Sequence, residues 1–193
     1  FLLKKISKKI MSILSQESPL NQIVKTKLSY PLTLDEAKRH LRVDESFEID
    51  DDFIQRLIYS ATKKAEEYIG KDISLTNNVL TIDNFCSDTL FYDEGNFYSL
   101  TSVITDNSTN ITPQKTRAFK NGFYLEFDTY LDTDPLIVTF KTGYTTCPED
   151  IKQAILIKIG DLYDSERSSY TFTSSRDTKA FEKMLDSYKI LIF

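Results

Sequence analysis

The sequence predicts an α+β fold, an antiparallel helical bundle with an inserted small antiparallel β domain. Apolar residues recur at spacings of three and four within residues 32–71 and again from residue 147 onward, which is typical of amphipathic helices. Between them, residues 72–146 contain short runs rich in Val, Ile, Thr, Phe and Tyr, separated by Asn, Asp, Ser and Gly, which is typical of strands. A chain of 193 residues is long enough for one domain with a sizeable insertion.

The first predicted helix has a clear start signal. Thr33 is the expected N-cap, and Glu36 follows three residues later, which is the spacing of a capping box. We expect the helix to end near Val43-Asp44. Its apolar face is formed by Leu34, Ala37 and Leu41.

An acidic linker leads from this helix to a longer second helix. Residues 44–52 are rich in carboxylates but lack the glycine and the regular ligand spacing of an EF-hand, so we interpret them as a solvated linker. Asp52 is the expected cap of the second helix, and Gly70 is the expected stop. The apolar stripe of this helix contains Ile54, Leu57, Ile58, Ala61, Ala65, Tyr68 and Ile69.

The β segment is predicted to contain several short antiparallel strands. The pair Asn121-Gly122 is the strongest hairpin signal, because this dipeptide favours the tight turns that join antiparallel strands. Gly143 is expected to supply a turn conformation after the last strand. The predicted strands are Val79–Ile82, Thr89–Tyr92, Leu100–Ile104, Gly122–Phe127 and Leu136–Phe140.

Helical spacing returns after the β segment. Pro148 is expected at the first helical position, where its missing amide is tolerated. Residues 167–178 are rich in Ser and Thr and predict a mobile loop, followed by a last helix over residues 177–189 and an apolar tail over 190–193. The stripe of the third helix contains Ile151, Ala154, Ile155, Ile159, Leu162 and Tyr163.

These elements divide the chain into five segments. The first is an N-terminal arm, and the lysines among its first ten residues are balanced by no acid. Met11 follows directly, so the arm is either a processed or truncated N-terminus or sequence upstream of a start at Met11. Its apolar run is too short to span a membrane, so we expect a solvated or partner-bound arm. The segments are residues 1–31 (arm), 32–71 (helices one and two), 72–146 (inserted β domain), 147–167 (helix three) and 168–193 (loop, last helix and tail).

The residue types of this chain argue against catalysis. His40 is the only histidine and lies on the polar side of the first helix, so we expect a surface role. Cys86 and Cys147 form no CxxC motif, which favours a reducing compartment, and no histidine is near Cys147 in sequence. The sequence contains no Walker-type or dinucleotide glycine loop. We therefore predict that the protein is not an enzyme and has no catalytic residue, cofactor or metal site.

Aromatic residues are frequent in the β segment. Such side chains can stack on single-stranded nucleic acid, but here Lys and Arg are not interleaved with them, and the net charge of −5 argues against a protein built to neutralise phosphates. We interpret them as core and subunit contacts. They include Phe91, Tyr92, Phe97, Tyr98, Phe123, Tyr124 and Phe127.

Three segments in a fixed order resemble the head–tail connector (adaptor) family of tailed phages. The first is T-L-D-E-A-K-R-H-L-R-V-D from Thr33, which continues into the second helix over residues 51–70. The second, over residues 141–163, is similar to the strand-to-helix joint of the family, with K-T-G-Y followed by P-E-D-I-K-Q-A-I. The third is M-L-D-S-Y-K over residues 184–189. The resemblance covers about residues 32–189 and is weak across the β segment.

The resemblance implies a structural role in the neck of a virion. Family members form a ring, expected to be dodecameric, beneath the portal protein, contact other neck or tail proteins, and let DNA pass without specific binding or contact with a membrane. It also implies assembly in the host cytoplasm. The apolar tail departs from relatives, which tend to end in a basic residue. The implied portal-binding residues are Phe181, Met184, Leu185, Tyr188, Ile190, Leu191, Ile192 and Phe193.

The sequence is also compatible with other functions. A DNA-binding packaging factor would show affinity for DNA that falls steeply with salt. A stopper or tail-completion protein would sit lower in the neck. The tail could also fold back on its own helices instead of docking on a partner.

Overall fold

The computed structural model describes residues 21–93, 95–119, 121–167 and 179–189, and it confirms the α+β class. In the described residues, no helix is long and apolar enough to cross a membrane. The helices are α1 (Leu34–Leu41), α2 (Asp51–Ile69), α3 (Glu149–Arg167) and α4 (Lys179–Leu185), and a 3-10 turn follows at Asp186–Tyr188. The strands are β1 (Asn21–Lys27), β2 (Thr76–Ile82), β3 (Phe85–Tyr92), β4 (Phe97–Ile104), β5 (Lys115–Phe119), β6 (Gly122–Thr133) and β7 (Leu136–Thr142).

The strands form two antiparallel sheets. One has the order β1-β2-β7-β4 and the other has the order β3-β6-β5. In β2 and β7 every second residue is buried, because one face of the first sheet packs against the second sheet. The shared core is formed by Leu80, Ile82, Phe85, Leu90, Val103, Phe123, Leu125, Phe127, Leu136, Val138 and Phe140.

The helices enclose a second apolar core. Helix α2 packs against both α1 and α3, and α4 packs against α3 and, to a lesser extent, α2. The segments on either side of the β region therefore meet in space. The buried residues are Leu32, Ala37, Ile54, Leu57, Ile58, Ala61, Ala65, Ile69, Ile73, Ile151, Ala154, Ile155, Leu156, Ile159, Tyr163, Phe181 and Leu185.

The predicted helix signals are mostly confirmed. The Thr33 hydroxyl accepts from the Glu36 amide at 3.2 Å, and a Glu36 carboxylate oxygen accepts from the Thr33 amide at 2.8 Å, which completes the capping box. Gly70 ends α2 with a φ of 72°. Helix α1 ends earlier than predicted, because Arg42 adopts the left-handed conformation with a φ of 58°.

Two predicted helix starts are wrong by one or two residues. Asp52 lies inside α2, and Asp50 occupies the N-cap without a side-chain capping bond. Helix α3 begins at Glu149, and Pro148 precedes it; the Pro148 carbonyl accepts from the amide of Lys152 at 3.1 Å. The last helix is shorter than predicted, since α4 gives way to the 3-10 turn. The first residue of the predicted loop at 167–178, Arg167, ends α3, whereas residues 168–178 and the tail at 190–193 lie outside the described residues.

The hairpin at Asn121-Gly122 is confirmed, although Gly122 is not a turn residue. It pairs with Phe119 as the first residue of β6. A Cβ at Gly122 would lie 1.9 Å from the carbonyl oxygen of Tyr92, so only glycine fits at this close approach. Gly143 has a φ of 97°, which confirms its predicted turn conformation.

Strand β1 lies before residue 32, where the sequence pattern predicts no strand. Among the described strands it pairs only with β2, from Asn21 opposite Ile82 to Lys27 opposite Thr76. Most of its side chains are exposed. An edge strand of this kind lacks the apolar alternation by which strands are recognised in a sequence.

Candidate assembly surfaces

The C-terminal helix contributes to the chain's own core. Phe181 is 9% exposed and Leu185 is fully buried, both against the other helices. Met184 is 37% exposed and Tyr188 is half-buried. The structure therefore places two of the four described candidate portal residues inside the fold and leaves Met184 as the most accessible one. Ile190, Leu191, Ile192 and Phe193 lie outside the described residues.

The 3-10 turn after α4 is attached to α2. The Tyr68 hydroxyl donates to the Asp186 carboxylate at 2.5 Å, and this bond is the main cause that raises the pKa of Tyr68 to about 12. The Lys189 ammonium lies 4.5 Å from the centre of the Tyr68 ring, within the range of a cation–π contact. The described chain thus ends at Lys189 at a defined place on α2, from which residues 190–193 continue.

A polar network joins the end of α2 to the first sheet. The Glu66 carboxylate accepts from the amides of Ile73 and Ser74 at 3.1 and 3.2 Å, and it also accepts from the Lys27 ammonium. These bonds connect the last turn of α2 with β1 and with the residues that lead into β2.

Asp72 makes a second connection at the same place. Its carboxylate accepts from the Thr142 hydroxyl at 2.6 Å and from the Lys25 ammonium at 3.2 Å, and the Asn78 amide also donates to the Thr142 hydroxyl at 2.8 Å. Side chains of β1, β2 and β7 therefore converge on the segment that follows α2. We call this set of contacts the junction.

Lys38 is a buried cation that holds the predicted linker in one shape. Its side chain is 2% exposed, although it lies on a short surface helix. Its ammonium donates to the carbonyl oxygens of Glu45 and Phe47 at 2.8 and 2.9 Å, and lies 2.8 Å from a carboxylate oxygen of Asp51. We call residues 44–50 the acidic loop.

Further bonds within the acidic loop add to this order. The Asp44 carboxylate accepts from the Ser46 hydroxyl and amide at 2.6 and 2.9 Å, and these bonds lower the pKa of Asp44. The loop displays apolar side chains among its acids, since Ile49 is 82% exposed and Phe47 is 39% exposed. Residues 44–49 are exposed, as expected of a solvated linker, and they also form an ordered and partly apolar surface.

The second sheet also displays apolar side chains. Phe91 of β3 is 64% exposed and stacks on Phe119 of β5, with ring centres 5.0 Å apart and planes 9° apart. Tyr124 of β6 lies between their strands, opposite both Phe91 and Arg117. We call the outer face of this sheet the aromatic face, formed by Phe91, Phe119, Tyr124, Arg117, Lys115 and Glu126.

The other aromatic residues of the β segment divide between core and surface. Phe123 and Phe127 are buried between the sheets, and Tyr92 and Phe97 pack against that core. Tyr98 is half exposed. The predicted core contacts are thus confirmed for most of the set, whereas the subunit contacts stay a prediction.

His40, Cys147 and Lys152 belong to residue types that often act in catalysis. In the described part of the chain they do not form a catalytic group with one another. His40 is exposed. Burial raises the pKa of the Cys147 thiol to about 11, which disfavours the reactive thiolate. Lys152 donates to Glu36 at 3.2 Å, a contact that joins α3 to α1. No group of acidic, Cys or His side chains in the described part of the chain could hold a metal ion.

A match over most of its length shows the family to which the chain belongs. The family described as "Head completion protein" matches residues 31–189. This chain belongs to the head completion protein family. Membership confirms the predicted relationship to phage head–tail connectors and the predicted class of structural, non-enzymatic protein. A comparison with curated proteins found no match.

Solved structures of gene transfer agent (GTA) particles contain chains with the same fold. A chain in the neck of an empty GTA particle, computed with C6 symmetry, is 13% identical with a TM-score of 0.65. A chain in the neck of a native particle, computed with C12 symmetry, is 10% identical with a TM-score of 0.66. A chain in the native virion is 12% identical with a TM-score of 0.63. Each match covers 88% of this head completion protein and 97% of the other chain.

Proposed function

We propose that this head completion protein is a head-to-tail connector in the neck of a tailed phage. In this proposal its copies form a dodecameric ring under the portal, join the capsid to the tail, and let DNA pass during packaging and ejection. The family match over residues 31–189 carries the proposal. The fold likeness to chains in GTA necks, computed with C6 and C12 symmetry, supports a place in a symmetric neck.

The physical character of the chain suits a role performed by buried surface. A connector needs stable contacts between copies and no turnover of a substrate. The acidic loop and the aromatic face both present apolar side chains to solvent, and such surfaces are stabilised when a neighbouring polypeptide covers them. The net charge of −5 suits a conduit for DNA, because like charge discourages phosphates from binding to the wall.

The portal contact is proposed for the end of the chain. Phe181 and Leu185 serve the core, so they would reach a portal only if α4 left the bundle. Met184 can engage a partner without this change, because it is 37% exposed. We therefore assign the portal contact to Met184, Tyr188 and the tail, and give Phe181 and Leu185 the role of holding α4 in place.

The division into segments is part of the same proposal. The helices before and after the insertion form the body of the connector, and the β region extends from it through the junction. Strand β1 belongs to the arm by sequence and to the first sheet by pairing. The β region is then available to other neck or tail proteins.

The experiment measures the mass of assemblies formed with the portal. The full chain is mixed with portal protein of the same phage and examined by mass photometry, first alone and then with the portal ring. We expect up to twelve copies to add to each portal. Removal of residues 190–193 should abolish attachment, and a thermal melt of the truncated chain shows whether it is still folded.

Two variants separate attachment from folding. Met184→Glu places a charge on an exposed position and should weaken attachment without unfolding the chain, whereas Leu185→Ala should lower stability by about 2–5 kcal/mol because it opens a cavity in the core. A chain that binds DNA with a steep salt dependence and ignores the portal would be a packaging factor instead. A chain that binds only to a preassembled portal–connector complex would be a stopper.

A further inference from the structure

Two surfaces of this chain are complementary in charge and share apolar character. The acidic loop displays Ile49 and Phe47 beside exposed carboxylates, including Asp44, Glu45 and Glu48. The aromatic face displays Phe91 and Phe119 beside Lys115, Arg117 and Glu126, and because Glu126 offsets Lys115, Arg117 gives the face its net positive charge. Apolar groups surrounded by charges of opposite sign are the pattern expected of two surfaces that bind each other.

The cation of Arg117 is available to a partner. Lys115 lies 3.0 Å from Glu126 on the neighbouring strand, so part of its charge is already compensated. Arg117 is exposed and makes no ion pair within the described part of the chain. Its position opposite Tyr124 places a guanidinium within the aromatic face, and Arg and Tyr are enriched in the residues that dominate protein interfaces.

The acidic loop is ordered before any partner binds. The buried Lys38 ammonium fixes the carbonyl groups of Glu45 and Phe47, and Asp44 fixes Ser46. A loop that is already in one conformation loses little conformational entropy on binding, so more of its contact energy appears as affinity. A merely solvated linker would not need a buried cation to hold its shape.

The two surfaces cannot meet within one chain. The acidic loop precedes the first residue of α2, whereas the junction to the sheets follows its last residue, and a helix of 19 residues is roughly 28 Å long. In the described part of the chain, no helix packs extensively against a strand, so the sheets extend away from the helices. A contact between the two surfaces therefore needs two copies.

We propose that the acidic loop of one copy docks on the aromatic face of the neighbouring copy. The two surfaces differ, so each copy offers one to each neighbour, and repetition of such a contact closes a ring when the rotation between copies allows it. The inference rests on the proposed ring and names the surfaces that build it. In the docked state Glu48 lies near Arg117, and Ile49 covers the exposed rings.

The test exchanges charges across the proposed contact. Arg117→Glu and Glu48→Arg each place like charges together, so each should weaken the contact between copies by about tenfold or more. The double variant restores opposite charges and should come within about threefold of the unmodified chain. Assembly is measured by mass photometry of the full chain with the portal ring, over a range of salt concentrations.

A matched pair on α2 provides the control. Lys63 and Glu67 are both exposed and lie 3.8 Å apart on the same helix, far from the proposed contact. Lys63→Glu and Glu67→Arg make the same changes of charge, and assembly should remain as in the unmodified chain. Circular dichroism melts of all variants show whether each has folded.

A second measurement identifies the occupant directly. Ile49→Cys and Phe91→Cys are combined in a chain whose native cysteines, Cys86 and Cys147, are replaced by serine. Oxidation of the assembled ring should give a ladder of covalent multimers from the double variant and no ladder from either single variant. Rings that assemble normally from the double variant but give no ladder on oxidation would overturn the proposal.

The outcomes distinguish this inference from the proposed function. Rings that form normally with Arg117→Glu and Glu48→Arg, and give no ladder, would overturn the inference and leave the connector role intact. An unmodified chain that forms no ring with the portal would overturn both. Loss of the ring in both single variants, recovery in the double variant and a ladder would together establish the contact.

Discussion

Replacement of Lys38 by methionine tests how the acidic loop is held. Lys38→Met keeps a long, unbranched stem of similar helix propensity, so the apolar packing of α1 is preserved. It removes three contacts of the ammonium, to the carbonyls of Glu45 and Phe47 and to the carboxylate of Asp51. The change therefore isolates the contribution of one buried charge.

The expected loss follows from the exposure of the partners. Loss of one member of a fully buried ion pair costs about 3–5 kcal/mol, and each hydrogen bond to a charged group contributes about 1.5–3 kcal/mol. Here the Asp51 side chain is 28% exposed, and water can reach the loop carbonyls once Lys38 is gone. We therefore expect a loss of about 2–3 kcal/mol in the free energy of unfolding, which is less than the loss of a fully buried ion pair.

The assay is urea denaturation at neutral pH, followed by circular dichroism. The midpoint should fall without a change in slope, since the surface exposed on unfolding is nearly the same. The melting temperature should fall by roughly 4–12 °C for a chain of this size. Lys63→Met, on the exposed side of α2, is the control and should stay within about 0.5 kcal/mol of the unmodified chain. A Lys38→Met variant as stable as this control would refute the reasoning.

Three further results are expected. In a Cys86→Ser background, the Cys147 thiol should react with a thiol reagent about 100-fold more slowly at pH 8 than in the urea-unfolded chain, because burial raises its pKa from 9.0 to about 11; equal rates would contradict this. Glu36→Gln keeps an oxygen that accepts the Thr33 amide but loses the charge paired with Lys152, so a urea titration should show a loss of about 0.5–1 kcal/mol at pH 7. Because the bond from the Thr33 amide holds the pKa of Glu36 below 4.5, this difference should vanish as pH falls through that lower pKa, and a difference that persists there would contradict the assignment. Gly122→Ala should lower the free energy of unfolding by about 3 kcal/mol in a urea titration, since its Cβ would meet the Tyr92 carbonyl. A loss below about 1 kcal/mol would show that β3 and β6 can move apart at this position.

The helical body was largely predictable from the sequence because its signals are local. The Thr33–Glu36 capping box and the left-handed Gly70 each depend on a few neighbouring residues. The stripe of α2 repeats over five turns, so its buried face could be read from spacing alone. The observed end of a helix differs from the predicted one where a local capping bond ended the helix early, as at Arg42.

The missed features depend on contacts distant in sequence. Strand β1 is extended because β2, some fifty residues later, offers it a pairing edge. Lys38 could have been suspected, since it completes the helical spacing of Leu34, Ala37 and Leu41 at a position that faces inward. Its partners are backbone carbonyls, and the sequence does not show that residues 45 and 47 turn back toward α1.

For the candidate portal residues, the sequence predicts an apolar face but not the surface that covers it. Phe181, Met184, Leu185 and Tyr188 have the spacing of an amphipathic face, and spacing alone does not say which neighbour covers it. The structure assigns Phe181 and Leu185 to the chain's own core. Met184 keeps enough exposure to contact another protein.

Lys38 holds the acidic loop through backbone atoms, so the side chains of the loop can be substituted without loss of these bonds. The ammonium binds carbonyl oxygens at positions 45 and 47, and every amino acid supplies these atoms. Substitutions of Glu45, Phe47 or Glu48 can therefore alter what the loop recognises while the backbone keeps its course. Related proteins could therefore differ in the neighbour that this loop contacts, with little loss of stability in the helices. An engineer could likewise replace residues 45–49 with another recognition sequence and keep the loop backbone held by Lys38.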